Sequence, residues 1–430
     1  MENSQENINF ASAFKKITFS KIFRGNPNIW IAILVLALIS IFASISVSRL
    51  EKFVANNSDM RFWVLHACFI IISFFIIVFF QFFPLNIVKR YSKLMWLSAL
   101  VIVFATMFFG EEVNGAKRAL LGLRTFDIMK FAFPIYFARL LSDKISEINS
   151  SFKKTLKYIV VPSLLSFGIF IKDNISTGII IAAIFFIMLI VSEVKLKYKF
   201  YIFLIIFSLG AAGVALKFLK QDKNDTTRVS TAVNRITNFI SGETNQQTIV
   251  ATASVQSAGL LPKGPGQSSH KNNLTQVEDD FIFSLLVEEW GLIGSIFLVI
   301  GCYLSLFIFS IRTIMKSKDK YSIYVVLGLI LYITIQALIH FIVNIGGPVT
   351  GQTLPFISNG KMSIVVTAVS FGLIINVNSN SIKEKLKSEK EKEKKEKKIK
   401  SESNLHKEQD VEDEHDLNEN KVKKILENLD

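Results

Sequence analysis

Runs of roughly twenty residues that carry almost no charge recur along this 430-residue chain. A hydrocarbon layer about 30 Å thick demands a helix of about that length. This repeat leaves few folds open. In lipid a backbone must satisfy its own amides and carbonyls, so such runs are read as membrane-spanning helices. Ten are expected, at 29–47, 64–83, 95–109, 128–142, 158–171, 177–192, 200–219, 280–310, 322–345 and 362–377. The fourth and fifth are short and contain Pro134 and Pro162, and the eighth is long enough to begin outside the membrane. The fold class is all-α, a polytopic integral membrane protein. Half of the residues are hydrophobic and 39 are Phe, more apolar surface than a soluble core of this size would bury.

The charges fall between these runs and give them a direction. Lys and Arg gather at 15–24, 89–93, 139–157, 195–199 and 312–320, on every second loop. By the positive-inside rule those loops are cytoplasmic. Both termini are then cytoplasmic, which requires an even number of spans and agrees with ten. The net charge of +14 is explained by these loops and does not imply nucleic acid. Residues 1–28 form a cytoplasmic segment without a cleavable signal pattern, so the first helix is an anchor. Residues 29–378 form the membrane domain. The tail, 379–430, is Lys- and Glu-rich and then acidic, a composition that does not bury enough surface to fold alone. It reads as a solvated, disordered cytoplasmic tail, with docking of a partner as the sharper alternative. Cys68 and Cys302 lie in apolar runs and read as filler, with neither disulfide nor metal.

The outward loops, 48–62, 110–127, 172–176, 220–279 and 346–361, hold the polar chemistry. The loop 220–279 is far longer than an ordinary connection. It carries Arg228, Arg235, the turn-forming Gly259-Leu-Leu-Pro-Lys-Gly-Pro-Gly266 and the acidic Glu278-Asp279-Asp280. An acid at the membrane rim is solvated, paired or working. The plain reading is that it caps the next helix. Glu288 and Glu289 lie two turns further in and would be costly facing lipid, so they point inward, either to a structural basic partner or to chemistry. Loop 110–127 carries Lys117, Arg118 and Arg124, with Lys130 just inside the next helix. These groups either snorkel to headgroups or clamp the phosphates of a lipid-linked substrate. Loop 346–361, with two Pro and four Gly, suggests a re-entrant segment lining a cavity, against a plain surface turn. His66 and His340 sit in apolar runs and read as structural. Lys263-Gly-Pro-Gly266 lacks the ending of a P-loop.

Four segments together resemble a known family. Asn114-Gly-Ala-Lys-Arg118 is similar to a GAxRW motif and is followed by an acidic-x-x-Lys step at Asp127–Lys130. Asp173-Asn-Ile-Ser-Thr177 is similar to a PDxGT turn. Arg235, Gln247, Gly259, Lys263-Gly-Pro-Gly266, Asp280-Phe-Ile-Phe283 and Glu288-Glu-Trp-Gly291 follow in order. Last come Gln336, Pro348-Val-Thr-Gly351, Leu354-Pro-Phe356, Ser358 and Gly360, similar to PVTGxPLPFxSxG. The chain thereby resembles the SEDS proteins of bacterial shape, elongation, division and sporulation, which include FtsW and RodA, over about Ile29–Asn378. It departs at Ala119, Thr275, Thr353 and Gly360-Lys-Met-Ser363, mostly packing positions.

The resemblance implies a peptidoglycan glycosyltransferase that joins the disaccharide units of lipid II at the outer face of the bacterial cytoplasmic membrane. The implied general base is Asp280. Arg118, Lys130, Lys263 and Ser358 would bind substrate, with Glu288, Glu289, Pro348, Thr350, Gly351 and Pro355 in support. No cofactor is implied, and a divalent ion with the pyrophosphate is compatible with the site. The implied partners are lipid II, a class B penicillin-binding protein and other divisome or elongasome membrane proteins. The Lys-Gly-Pro-Gly form, the Asn-Ile-Ser-Thr turn and the long tail lean towards the division member and a septal location over the elongation member. A lipid II flippase and a non-catalytic scaffold are the competing readings. A transporter should carry ionisable residues near the bilayer midplane, and few spans here do.

Overall fold

A computed structural model describes the backbone of residues 22–49, 54, 58–113, 116–120, 122–170, 174–220, 246–274 and 276–427. The side chains of 59, 112–113, 116–118, 210–220, 395 and 397–427 lie outside the described residues, as do Asp173, Arg228, Arg235 and Thr275. The chain forms two units, Met1–Ser379 and Asn380–Asp430.

A helix coincides with every expected span. In chain order the main helices are α1 (Pro27–Ser48), α2 (Asp59–Phe80), α3 (Leu85–Phe109), α4 (Phe126–Asp143) and α5 (Val161–Gly168), which a π-turn precedes. Then come α6 (Ile175–Val191), α7 (Leu196–Lys220), α8 (Gln246–Gln256), which lies outside the expected spans, and α9 (Ile282–Gly294). A second π-turn leads from α9 into α10 (Gly301–Lys316), followed by α11 (Lys320–Asn344) and α12 (Lys361–Glu427). Among the described residues six helices are long and apolar enough to cross a membrane: α1, α2, α3, the joined α9–α10, α11 and the first half of α12. The others are shorter or more polar. Proline and the charged Lys130 and Arg139 shorten the apolar run of α4, and α6 has 17 residues.

Two expected loops are structured. Residues 110–127 contain an antiparallel sheet of β1 (Glu111–Val113), β2 (Ala116–Leu120) and β3 (Leu123–Arg124). Residues 220–279 contain α8, which packs on α9. The tail continues α12 as helix to Glu427.

Helix α11 is the centre of the first unit, packed against α4, α6 and α10. Gly328 makes this closeness feasible. A Cβ there would lie 2.6 Å from the Pro134 Cβ of α4 and 3.1 Å from the Met188 sulfur of α6. Small residues at helix crossings permit such an approach in lipid. Phe133, Phe137 and Phe185 fill the space beside it. Trp96 ties α3 to α5 through a 2.7 Å bond to Ser166. Asn378, within α12, ties the start of α1 to the end of α10, accepting from Asn26 N–H (2.7 Å) and donating to Thr313 (2.6 Å).

The stretch between α11 and α12 is non-helical and buried from Gln352 to Ser358. Irregular backbone inside a membrane protein needs partners for its amides and carbonyls. Side chains supply them. His340 bonds the Gln352 carbonyl (2.8 Å), Gln336 the Thr353 carbonyl (2.8 Å), Tyr303 the Pro355 carbonyl and Ser40 the Ile357 carbonyl (3.3 Å). Ser358 accepts from Leu354 N–H at 2.8 Å. The segment is therefore no surface turn.

Candidate active site

The acidic step Glu278-Asp279-Asp280 immediately precedes α9. Phe281 is the N-cap residue and makes no side-chain cap bond. The three carbonyls of the step are instead held one by one from the far end of the chain. Asn359 N–H donates to Glu278 O at 3.0 Å. Ser358 Oγ donates to Asp279 O at 2.8 Å, and Asn344 Nδ2 to Asp280 O at 3.1 Å. The Asp280 N–H closes a turn on Gln276 O (3.0 Å). His66 of α2 braces the arrangement through Asn359 Oδ1 (3.2 Å), its other ring nitrogen on Ser40 (2.7 Å).

Beside this step opens a cavity with about 350 Å³ of free space, including its mouth. Arg124, Asp127, Lys130, Thr177, Gly351 and Gln352 line it, with Phe126, Asn174 and Thr353. β3 delivers Arg124 to the rim, where its guanidinium meets Asp279 at 2.8 Å. Burial alone would lower the Arg124 pKa. Asp279, Asp280, Asp127 and Glu278 outweigh it and raise it above the ordinary arginine value. Arg124 thus stays charged at any working pH, and Asp280 lies within its electrostatic reach.

Lys130 forms the inner wall, 2% exposed. An ammonium carries three N–H donors. They go to Asp127, to Gln336 Oε1 at 2.6 Å and to Gln352 Oε1 at 3.1 Å. Gln352 passes the chain on to Thr177 at 3.3 Å. Asn174 fixes Thr177 by capping α6 with a 3.2 Å bond to its N–H. The acidic-x-x-Lys step is thereby a buried ion pair one helical turn apart, steadied by two amides. Lys130 offers the cavity a fixed positive field, with no spare donor unless one amide yields.

Glu288 and Glu289 belong to a second group on α9. Glu288 is fully buried and accepts from Ser268 (2.5 Å), Ser269 N–H (3.0 Å), Ser269 Oγ (2.8 Å) and His270 (3.1 Å). Lys263 Nζ stands 3.8 Å away. Glu289, also fully buried, faces Ser46, Gly266 and Ser268 with Lys271 nearby, beyond normal hydrogen-bonding separation. The loop then crosses α9 at Gly291, whose φ of 73° breaks the helix. A Cβ there would lie 2.6 Å from the Leu261 backbone. Leu292 N–H bonds Gly259 O at 3.0 Å.

The residues expected to act therefore divide. Lys130 and Gly351 line the cavity; Asp280 does not, and the link from the cavity to the acidic step is Arg124 on Asp279. Lys263 does not line it; its partner is Glu288. Ser358, expected to bind substrate, is 1% exposed, with its hydroxyl engaged by Leu354 and Asp279, so it holds the acidic step instead. Pro355 gives its carbonyl to Tyr303. Pro348 and Thr350 are half-buried in the same segment, the Thr350 hydroxyl without a hydrogen-bond partner. The side chain of Arg118 lies outside the described residues. Sequence reasoning gave no role to Gln352, Asn344, Asp279 or Arg124 as a pair partner. Gln352 and Asn344 had a signal: they are amides in a setting where an unpaired amide is costly.

A family model described as "Cell cycle protein", covering FtsW, RodA and SpoVE, matches residues 26–383. The "Probable peptidoglycan glycosyltransferase FtsW" of Borreliella burgdorferi is 29% identical over 315 residues, 72% of this chain and 84% of its own. "Stage V sporulation protein E" of Bacillus subtilis is 28% identical over 307 residues, 67% of this chain and 79% of its own. Among solved structures, the fold is similar to a chain of a peptidoglycan synthase complex that coordinates polymerization and crosslinking. That match has a TM-score of 0.64 and 16% identity, covering 82% of this chain and 98% of the other. Rod shape determining protein RodA of Thermus thermophilus matches with a TM-score of 0.58 and 16% identity, over 82% and 96%.

Proposed function

Because the chain belongs to the FtsW/RodA/SpoVE family of cell cycle proteins, we propose that it polymerises peptidoglycan in cell division, with Asp280 as the base. Lipid II is both donor and acceptor. The Asp280 carboxylate takes the proton from the acceptor sugar hydroxyl, and that oxygen bonds to the donor anomeric carbon. The bond from this carbon to undecaprenyl pyrophosphate breaks, and the pyrophosphate leaves with the electron pair. A placed base contributes about 10²–10⁴ in rate. Arg124, Lys130 and, from the sequence, Arg118 offset the charge building on the leaving group. Lys263, on the loop beside, meets substrate at the rim. The chain supplies no cofactor of its own in this reading, and any divalent ion arrives with the pyrophosphate.

The observation that carries the reading is the acidic step. A loop of acids gripped by three main-chain bonds, beside a cavity walled by two cations, is an arrangement for presenting carboxylates to a charged substrate. A flippase reading has less support, because the buried Asp, Glu and Lys side chains among the described residues are Asp127, Lys130, Asp280, Glu288 and Glu289, on α4 and on or just before α9. The site faces the outer surface in this reading, with both termini inside, and the chain works at the septum. A class B penicillin-binding protein crosslinks the strands it makes, alongside other division proteins. The test is lipid II polymerisation by full-length protein with its transpeptidase in liposomes. Asp280→Ala should abolish glycan strands, and strands made at the wild-type rate by that variant would sink the mechanism.

A further inference from the structure

Helix α11 is apolar along most of its 25 residues, yet Gln336, His340 and Asn344 recur on one face of it at every fourth position. The first two hold the buried segment before α12. His340 donates to the Gln352 carbonyl at 2.8 Å. Gln336 donates to the Thr353 carbonyl at 2.8 Å and to the Thr353 hydroxyl at 3.2 Å. The backbone that carries Gln352 is thus pinned, and its side chain is held far less firmly.

The three acceptors around Lys130 are not alike. Asp127 is an ion partner on its own helix. Gln336 takes a 2.6 Å bond, is anchored at its other end by Thr353, and does not line the cavity. Gln352 does line the cavity. Its Oε1 takes a 3.1 Å bond from Lys130, and its Nε2 has one contact, with Thr177 at 3.3 Å. The first length is near the long end for such a bond and the second lies beyond the ordinary range. Gly351, next to it on the wall, has no side chain to close the space.

The cavity therefore meets its buried ammonium through a neutral amide. An anionic oxygen makes a shorter and stronger bond to an ammonium than an amide oxygen does, because the charges attract as well. Thr177 also lines the cavity. Its hydroxyl, which accepts from Gln352, can turn its O–H to an anion. We propose that Gln352 is a placeholder for substrate phosphate: an anionic phosphate oxygen displaces its amide from Lys130 and Thr177, so this residue sets how tightly the cavity holds a pyrophosphate. Only side-chain torsions change, since His340 keeps the Gln352 carbonyl. The inference rests on the reading that the substrate is a pyrophosphate-linked lipid.

The test is binding of inorganic pyrophosphate to full-length protein in nanodiscs, read as the rise in thermal midpoint with ligand concentration. KM for lipid II is measured beside it, in liposomes with the transpeptidase. Gln352→Glu keeps the shape and the acceptor, but gives Lys130 an ion partner that also repels an incoming anion. It should weaken pyrophosphate binding and raise KM for lipid II about tenfold or more, with the ligand-free midpoint no lower than wild type. Gln352→Ala removes the competing acceptor and should tighten pyrophosphate binding about threefold or more. A glutamine that merely braced Lys130 would give the opposite sign in Gln352→Ala. In Lys130→Met with Asp127→Asn, binding should be weak and no longer respond to position 352. Wild-type binding in Gln352→Glu, unchanged or weaker binding in Gln352→Ala, or no binding by the wild type overturns the placeholder role. If Gln352→Ala does not fold, the Gln352→Glu arm decides alone. Asp280→Ala in parallel keeps the readings apart. If that variant polymerises at the wild-type rate while pyrophosphate binding follows these expectations, the base assignment falls and the placeholder stands. If it is inactive while both Gln352 variants bind pyrophosphate as the wild type does, only the placeholder falls.

Discussion

Two buried charges, Lys130 and Glu288, are satisfied almost equally well and sit in different company. Lys130 has three acceptors and Glu288 four donor groups, so neither is left bare. Beside Lys130 there is open space, lined by side chains from α4, α6 and the buried segment before α12. Beside Glu288 the polar partners among the described residues all come from one loop, 263–270. A satisfied buried charge is thus not diagnostic by itself. Free volume next to it distinguishes a charge that can act on a ligand from one that fastens a loop.

That contrast is open to attack at several points. The largest effect belongs to Asp280→Ala, expected to lower polymerisation by about 10²–10⁴ with little change in thermal midpoint, because the acidic step is held by its carbonyls. A large loss of stability would place Asp280 with the fastening group. Next is Lys130→Met. It strands the Asp127 carboxylate and should destabilise by about 3–5 kcal/mol, read by thermal unfolding in detergent. Adding Asp127→Asn should recover much of that stability but not polymerisation. If activity returns too, Lys130 is architecture like Glu288. Smaller again is Glu288→Ala, which leaves several donors unpaired and should cost about 1–3 kcal/mol. Hydrogen exchange should rise across 263–271, while polymerisation falls less than tenfold. A complete loss of polymerisation with normal exchange would move Glu288 into the chemistry. The smallest is Lys263→Ala. Its partly exposed pair with Glu288 is worth at most about 1 kcal/mol, so the change should appear as a modest rise in KM for lipid II.

The raised Arg124 pKa bears on the pH profile of all these variants. A folded-state pKa above the unfolded one gives stability that is complete below the unfolded value and disappears only as pH climbs through the folded one. For an arginine both lie far above assay pH. Arg124 therefore adds a constant, and an acidic limb in the rate reports a carboxylate.

The helices were legible because an apolar run of membrane length has almost no other stable outcome. Their polar linings were not. In α11 the three amide and imidazole residues are lost in a mean hydropathy of 2.3, and nothing local says that Asn344 reaches 60 positions back to Ser284. The Ser358 hydroxyl bonds Leu354 N–H and the Asp279 carbonyl, which the sequence does not reveal, since a hydroxyl in a polar loop looks the same whether it meets substrate or a carbonyl. The hairpin of β1–β3 was missed because its strands are two to five residues long and pair only with one another. Asp127 and Lys130 stand out in the sequence only as a motif resembling the family's; that they form an ion pair one turn apart is a finding of the structure.

Each of Glu278, Asp279 and Asp280 has its main-chain oxygen held, a group that every amino acid possesses, and Arg124 adds a side-chain pair at Asp279. The loop's shape and its chemistry are therefore written at separate addresses: shape at 344, 358 and 359, chemistry at 278 to 280. A saturation library over the acidic step would score reactivity together with the Arg124 pair that the Asp279 carboxylate holds. The same library over the three distant gripping residues would score geometry.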